Sequence, residues 1–286
     1  MPPDSAVAGR ADVWRRFRRN RLAVVGLIVI GLLVLVAVLA PVITRYSPNA
    51  LGARSEPGRA GPSWDHWFGT DLVGRDLFAR VVYGARVSLR IGFVAVAIAT
   101  TVGVVVGAVA GYWGGAVDNA LMRTTDVFLS FPLVVAGLVL ATVVGKGERT
   151  VILVLAFVAW MPIARLLRSS VLQAKEREYV EAARAAGCSD WRIVTRHILP
   201  NTIQPVIVLA TILVGTAVLT EAALSFLGVG VQPPTAAWGL MVNEGRSYLR
   251  TSPHLLFFPA AAIVVTVMAF VFVGDGLRDA LDPRLR

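Results

Sequence analysis

A run of 22 residues, Leu22 to Ile43, contains no ionisable side chain. At a rise of about 1.5 Å per residue, a helix over this run reaches about 33 Å, which exceeds a hydrocarbon core of about 30 Å. The run therefore predicts a membrane-spanning helix. Further apolar runs of spanning length lie near Ile91 to Tyr112, Val127 to Val144, Val151 to Leu167, Thr202 to Thr220 and Leu255 to Gly274. Together they predict an all-α integral membrane protein with six transmembrane helices.

The composition narrows the classes of function. Hydrophobic residues make up 56% of the chain and charged residues 16%, which is typical of a membrane protein. A single cysteine, Cys188, excludes an intramolecular disulfide, and three scattered histidines disfavour a structural zinc module. The nearest approach to a Walker A loop, Val144 to Gly147, lacks the upstream glycine and the hydroxyl residue. We therefore expect this chain to bind no metal and no cofactor of its own.

The basic residues indicate an orientation in the membrane. The net charge is +10, and 17 of the 28 Lys and Arg residues lie on the side of the amino terminus. Both termini are therefore expected in the cytoplasm. Seven of the other basic residues lie between Arg45 and Arg90, so charge alone leaves the opposite orientation open. At 22 residues the first run is longer than a signal peptide's apolar region of about 7 to 15, and we expect it to be retained.

The runs and their connections divide the chain into five parts. Residues 1–21 form a predicted cytoplasmic segment, 22–43 the first transmembrane helix, 44–90 an external segment, 91–274 a five-helix core, and 275–286 a cytoplasmic tail. The core includes the longest cytoplasmic connection, residues 169–201. Because the basic residues alternate with apolar runs and lack accompanying stacking aromatic residues, the charge does not indicate nucleic-acid binding.

Polar residues and glycines within the runs carry three further predictions. None of the runs has Asp, Glu or Lys near its midpoint, which disfavours ion-coupled transport. Glu221, at the outer end of the fifth run, is a possible translocation-pathway residue, or else an interfacial carboxylate that reaches to water. Gly103, Gly107 and Gly111 recur at intervals of four and predict a close helix contact, either within the subunit or at a subunit interface.

The loop of residues 169–201 predicts structure outside the bilayer. Strong helix formers from Lys175 to Ala186 predict one helix, and Gly187 is typical of its C-terminal end. Ser189 is expected to cap a second short helix, which Pro200 should end before a fifth span capped at Asn201. The two helices would form an elbow at Gly187, where we expect a side chain to obstruct.

The elbow carries apolar side chains that are expected to pack against another surface: Val180, Ala182, Ala183 and Trp191. Two interpretations stay open at this point. These side chains cover the ends of the chain's own helices, or they dock into a groove of a cytoplasmic partner.

One signature in this loop resembles a known family. Glu181-Ala182-Ala183, then Gly187, then Ile198-Leu199-Pro200 resemble the "EAA…G…I-LP" signature of permease subunits of binding-protein-dependent ABC importers. The resemblance implies that the loop is a coupling helix in a cleft of an ATP-binding subunit. It also implies that these seven residues couple the chain to the ATPase, with no catalytic residue in the chain itself.

Further motifs resemble the dipeptide/oligopeptide/nickel importers, and within them the second permease of the DppC/OppC type. The matching stretches are Phe68 to Asp76, Gly84 to Leu89, Gly111 to Gly115, Leu224 to Gly230 and Gly274 to Arg284. Ala79 departs from the family's frequent serine. The resemblance implies the type I, MetI-like permease fold in a bacterial inner membrane, and a role in peptide import.

The same resemblance implies partners. They are a second permease in a heterodimer, two ATP-binding subunits that hold ATP and Mg, an external substrate-binding protein and membrane lipid. Nickel-chelate, glutathione and haem import remain open as alternatives to peptide import. An ATP-independent facilitator or receptor is the alternative from a different class.

Overall fold

The computed structural model describes residues 10–51 and 58–281. Three parts of the chain lie outside the described residues: the first nine residues of the predicted cytoplasmic segment, six residues of the predicted external segment and the last five of the predicted tail. The last of these includes Asp282, Pro283 and Arg284 of the matching motif. Within the described ranges the chain is mainly helical, and the one extended pairing is an isolated antiparallel bridge between Thr70 and Asp76.

The helices follow one another with short connections. They are α1 Arg10–Arg19, α2 Arg21–Ile43, α3 Leu77–Trp113, α4 Gly115–Leu129, α5 Leu133–Val144, α6 Glu148–Lys175, α7 Glu178–Ala185, α8 Asp190–Arg192, a π-helical turn Ile193–Ile198, α9 Leu199–Thr202, α10 Gln204–Phe226, α11 Trp238–Gly245, a 3₁₀ turn Arg246–Tyr248 and α12 His254–Leu281. Of these, α2, α3, α6, α10 and α12 are each long and apolar enough to cross a membrane.

The third predicted run is not one continuous helix. Helix α4 ends at Leu129 and α5 begins at Leu133, and the two axes are bent by 87°. Pro132 occupies the N-cap of α5 with an extended ψ of 132°. Proline has no N–H to continue the ladder and pushes the residue before it out of the helical region. The prediction of a single helix over 127–144 is therefore wrong, and the described chain has six spans when the bent pair counts as one.

Helix α3 is longer than its apolar run predicts. It has 37 residues and begins at Leu77, within the predicted external segment. Asp76 occupies its N-cap and accepts a hydrogen bond from the Ala79 N–H at 2.6 Å. This cap starts the helix well before the apolar stretch, so α3 extends beyond the predicted span at its N-terminal end.

The glycine stripe of α3 packs against α6. A Cβ atom on Gly103 would lie 2.7 Å from Ile163 Cβ, and one on Gly107 would lie 2.5 Å from the Ala164 carbonyl oxygen. At Gly111 the neighbour is Val171 Cβ at 2.8 Å. These distances leave no room for a side chain, so the predicted close contact is confirmed and lies within the subunit. The subunit-interface alternative is wrong for this face.

Candidate functional site

The elbow begins where α6 ends. Helix α6 extends to Lys175, and α7 begins at Glu178 after Arg177, which occupies its N-cap. The predicted single helix over 175–186 is therefore divided at Glu176 and Arg177. The Arg177 N–H donates to the Ala174 carbonyl oxygen at 3.1 Å, and this hydrogen bond closes the turn between the two helices.

Gly187 forms the bend of the elbow. Its φ is +73°, in the left-handed region that favours glycine, and its N–H donates to the Arg184 carbonyl oxygen at 2.9 Å. The predicted helix end at this glycine is confirmed. No described atom lies within 4 Å of a Cβ placed on Gly187. The expected obstruction by a side chain is therefore wrong within this chain, because the constraint at Gly187 comes from the backbone conformation.

The return from the elbow to the membrane also differs from the prediction. Ser189 occupies the N-cap of α8, but its side chain makes no capping hydrogen bond within the described structure. Pro200 does not end the second helix, because it lies in the first turn of α9, where a missing N–H costs nothing. Asn201 does not cap the fifth span; its Nδ2 donates to the His197 carbonyl oxygen at 2.7 Å, and α10 begins at Gln204.

The seven residues of the signature divide into two groups by exposure. Ala183 and Ile198 are buried, and Leu199 is half-buried. Glu181, Ala182, Gly187 and Pro200 are exposed, as is Trp191 beside them, with 73% of its surface accessible. The first interpretation is confirmed for Val180 and Ala183, which cover the chain's own helices. Ala182 and Trp191 remain uncovered, and docking into a partner stays a prediction.

The buried residues attach the elbow to the membrane helices. Val180, Ala183, Ile193 and Ile198 form one apolar cluster with residues of α3 and α6. The Tyr112 hydroxyl, at the end of α3, donates a hydrogen bond to the Asp190 carboxylate. Arg184 lies over the Tyr112 ring, 5.7 Å from its centroid. The elbow is therefore packed onto the C-terminal ends of two helices of spanning length, α3 and α6.

Two ion pairs connect α6 to α4. Arg168 forms a bidentate pair with Asp118, and Arg165 pairs with Asp126. A bidentate guanidinium–carboxylate pair fixes the relative orientation of its helices as well as their distance. Sequence reasoning did not find these pairs, because each pair joins residues about 40 to 50 positions apart.

Glu221 is fully buried between α10 and α3. Its carboxylate accepts hydrogen bonds from Ser225 Oγ at 2.8 Å and from Ser88 Oγ at 3.2 Å. The alternative of an interfacial carboxylate that reaches to water is therefore wrong. The pathway role of Glu221 stays a prediction.

A buried charged cluster lies at the end of α3 opposite the elbow and was not found by sequence reasoning. Arg80 is fully buried; its Nε lies 3.3 Å from Asp71 Oδ2, and its Nη2 lies 3.9 Å from Glu244 Oε2. Arg75 Nε donates to Asp71 Oδ2 at 2.6 Å. Burial raises the pKa of Glu244, and the positive charges of Arg80 and Arg75 oppose that rise. The cluster joins the external segment, α3 and α11.

An apolar groove of about 620 Å³ runs between α3 and α10. Phe93, Thr100, Ile207 and Phe270 are among its lining residues, and it contains no charged side chain. Among the described residues, no three His, Cys, Asp or Glu side chains come together in a way that would hold a metal ion.

Comparison with known families gives two matches. Residues 103–286 match the family described as "Binding-protein-dependent transport system inner membrane component". Residues 10–62 match the "N-terminal TM domain of oligopeptide transport permease C". The first match begins in the glycine stripe and includes the elbow, and the second includes α1 and α2.

Individual relatives match over nearly the full chain. The dipeptide transport system permease protein DppC of Alkalihalophilus pseudofirmus is 40% identical over 100% of this chain and 94% of its own length. The oligopeptide transport system permease protein OppC of Bacillus subtilis is 43% identical over 96% and 90%. The glutathione transport system permease protein GsiD of Escherichia coli is 42% identical over 100% and 94%.

The fold has a solved counterpart in the inward-facing MetNI methionine ABC transporter. The TM-score is 0.59, with 23% identity over 72% of this chain and 98% of the other. This likeness confirms the predicted MetI-like permease fold. The family match, the full-length relatives and the fold agree, and the chain belongs to the binding-protein-dependent transport system inner membrane components, the permease subunits of ABC importers.

Proposed function

We propose that this chain is the DppC/OppC-type permease of an ATP-driven peptide importer, in which it forms half of the translocation pathway. The proposed coupling to the ATP-binding subunits rests on one observation. The elbow has a buried face and an exposed face. Val180, Ala183 and Ile198 hold the elbow on α3 and α6, while Glu181 and Ala182 point away from the chain. A surface that is rigidly attached on one side and open on the other is suited to transmit the motion of a partner.

The partners follow from this arrangement. Two ATP-binding subunits, which hold ATP and Mg, would receive the elbow of this chain and that of a second permease. The apolar groove between α3 and α10 offers a surface for that second permease or for the pathway between them. An external binding protein and ATP each act by preferring one of the inward-open and outward-open states, since a ligand shifts an equilibrium only through its differential affinity.

The orientation is supported by the chain's path. Helix α3 extends from the outer charged cluster near Arg80 to Tyr112 at the elbow. Helix α2 begins at Arg21 and ends near the outer cluster, because Arg80 Nη1 donates to the Pro48 carbonyl oxygen at 3.2 Å. The N-terminal helix and the elbow thus share one side, which we assign to the cytoplasm of a bacterial inner membrane.

The substrate assignment draws on the relatives. They are named for dipeptide, oligopeptide and glutathione transport, and all three substrates contain peptide bonds. A peptide class therefore fits them best. The assignment is tested by identifying the ligand of the binding protein whose gene lies beside the gene for this chain. A haem or nickel-chelate ligand would contradict it.

The coupling role is tested by Gly187→Asp. Loss of the left-handed glycine and the added charge should together displace the elbow, so we expect uptake to fall at least about tenfold. Gly145→Asp is the matched control, because Gly145 also has a positive φ, +93°, with no described atom within 4 Å of its Cβ position. It lies at the opposite end of the core, between α5 and α6.

Two measurements separate the outcomes: substrate uptake, and co-purification of the ATP-binding subunits. Reduced uptake with weaker co-purification in Gly187→Asp alone supports coupling at the elbow. Full uptake with an intact complex contradicts it. Solute transport by the purified chain alone in liposomes, at a rate indifferent to nucleotide, would instead favour an ATP-independent facilitator.

A further inference from the structure

Helix α1 has two chemically different faces. Val13 and Phe17, one turn apart, face α12, where Phe17 is buried in a cluster with Ala23, Val273 and Ala280. Phe17 Cε2 would lie 3.2 Å from a Cβ atom on Gly276. The absence of a side chain at Gly276 therefore admits the Phe17 ring, and α1 is seated on the cytoplasmic end of α12.

The opposite face of α1 is cationic. Arg15, Arg18 and Arg19 lie on this face. Trp14, one turn before Arg18, lies at its edge, with its ring stacked on that of Phe17 at a centroid distance of 5.8 Å. All four side chains are exposed, Trp14 by 52%. Asp12 is the acidic residue of this helix; it lies 3.7 Å from Arg15, and both side chains are more than half exposed. The pair is therefore weak and leaves the face strongly positive.

The position of α1 relative to the bilayer is fixed by its connection. A single residue, Asn20, separates α1 from α2. Asn20 Oδ1 accepts a hydrogen bond from the Ala23 N–H at 3.1 Å, and Asn20 Nδ2 donates to Asp279 Oδ2 at 3.2 Å. Leu22, the second residue of the spanning helix α2, is 57% exposed. The cationic face therefore lies at the level where the hydrocarbon core meets the headgroups.

We infer that the Trp14, Arg15, Arg18 and Arg19 face of α1 binds the headgroups of anionic phospholipids in the cytoplasmic leaflet. Guanidinium groups match phosphate oxygens in geometry and charge, and tryptophan favours the membrane–water interface. Positive charge near α2, without any fixed geometry, would be enough to orient the chain in the membrane. A helix held on α12 by Phe17 and Asn20, with a tryptophan at the edge of its arginine face, provides a fixed binding surface as well.

The test uses the purified transporter complex with native mass spectrometry. Phosphatidylglycerol and phosphatidylcholine are supplied in equal amounts, and the ratio of the two lipids retained is measured. We expect the wild-type complex to retain more phosphatidylglycerol than phosphatidylcholine. In the Arg15→Gln/Arg18→Gln/Arg19→Gln variant the ratio of the two retained lipids should be about tenfold lower. The corresponding triple Arg→Lys variant should keep part of it, because lysine retains the charge and loses the fork geometry.

The matched control is Arg123→Gln/Arg149→Gln/Arg250→Gln, which removes the same charge from exposed positions on other elements. An equal loss in this control, or an unchanged preference in the α1 variant, overturns the inference. Loss of the ATP-binding subunits from the α1 variant with its lipid preference intact also overturns it, in favour of a protein contact.

A second measurement needs no variant. Because the contact is electrostatic and near water, the wild-type preference should fall when salt is raised from about 0.05 M to about 0.5 M. A preference that does not change with salt overturns the inference, even if the triple glutamine variant fails to insert. Neither assay requires transport or ATP hydrolysis, so the outcome is independent of the proposed import function.

Discussion

Tyr112, in the last turn of α3, donates its hydroxyl hydrogen bond to Asp190, the first residue of α8. The bond joins a spanning helix to the exposed elbow across 78 positions of sequence. It lies beside the buried cluster of Val180 and Ala183, which supplies the apolar part of the same attachment. The elbow is thus connected to α3 by a specific polar contact as well as by packing.

Tyr112→Phe should loosen this connection. The substitution keeps the ring under Arg184 and removes a hydrogen bond to a carboxylate, which contributes about 1.5–3 kcal/mol. We expect an assembled complex that hydrolyses ATP with fewer substrate molecules moved per ATP. Thr124→Val, which removes a hydroxyl bonded within α4 alone, is the control. An unchanged transport-to-hydrolysis ratio in Tyr112→Phe would contradict the connection.

Gly107→Ala should destabilise the core. The new Cβ would lie 2.5 Å from the Ala164 carbonyl oxygen, so α3 and α6 must separate, at a cost of about 1–3 kcal/mol. Gly31→Ala in α2 is the control, because no described atom lies within 4 Å of its Cβ position. Thermal unfolding in detergent should show a lower midpoint for Gly107→Ala only. Equal midpoints would mean that the two helices are not closely packed there.

Glu221 variants separate a structural role from a pathway role. Glu221→Ala leaves the hydroxyls of Ser88 and Ser225 without their acceptor and opens a cavity, so we expect a loss of about 2–5 kcal/mol of stability. Glu221→Gln keeps the volume and one acceptor oxygen and should lose less. If Glu221→Gln instead retained its stability but lost transport, the carboxylate would be acting in the pathway.

Arg80→Met should destabilise the protein more than the similar volumes of the two side chains suggest. Removal of the guanidinium leaves Glu244 without its buried cation and Asp71 with Arg75 alone, and breaking such a group costs about 3–5 kcal/mol. We expect a lower unfolding midpoint and increased proteolysis of the external segment. Arg246→Met is the control, since this exposed arginine lies over the Phe226 ring instead. Similar proteolysis of both variants would argue against a structural role for the cluster.

The sequence predicts what depends on neighbours along the chain. The apolar runs predict the spans, and the spacing of Gly103, Gly107 and Gly111 predicts a close contact, because helical periodicity alone places them on one face. Gly187 is similarly recognisable, since few other residues adopt its positive φ at low cost. These features need no knowledge of the tertiary partner.

The features that sequence reasoning missed depend on distant partners or on the context of prolines. Arg80 and Glu244 are 164 positions apart, and nothing local indicates that they meet. Pro132 breaks a run that hydrophobicity alone presents as continuous, whereas Pro200 is accommodated in a first helical turn. Both prolines follow the same chemistry, and only the position of the helix start distinguishes their effects.

Helix α3 has a consequence for communication across the bilayer. Its 37 residues, from Leu77 beside the Arg80 cluster to Trp113 beside Tyr112, extend about 55 Å without interruption. A rod of this length that tilts by about 5° around one end moves the other by about 5 Å. In the proposed importer, a binding protein at one end of α3 and the ATP-binding subunits at the other would therefore both act through this helix, and thermodynamic reciprocity requires that each change the affinity of the other by the same factor.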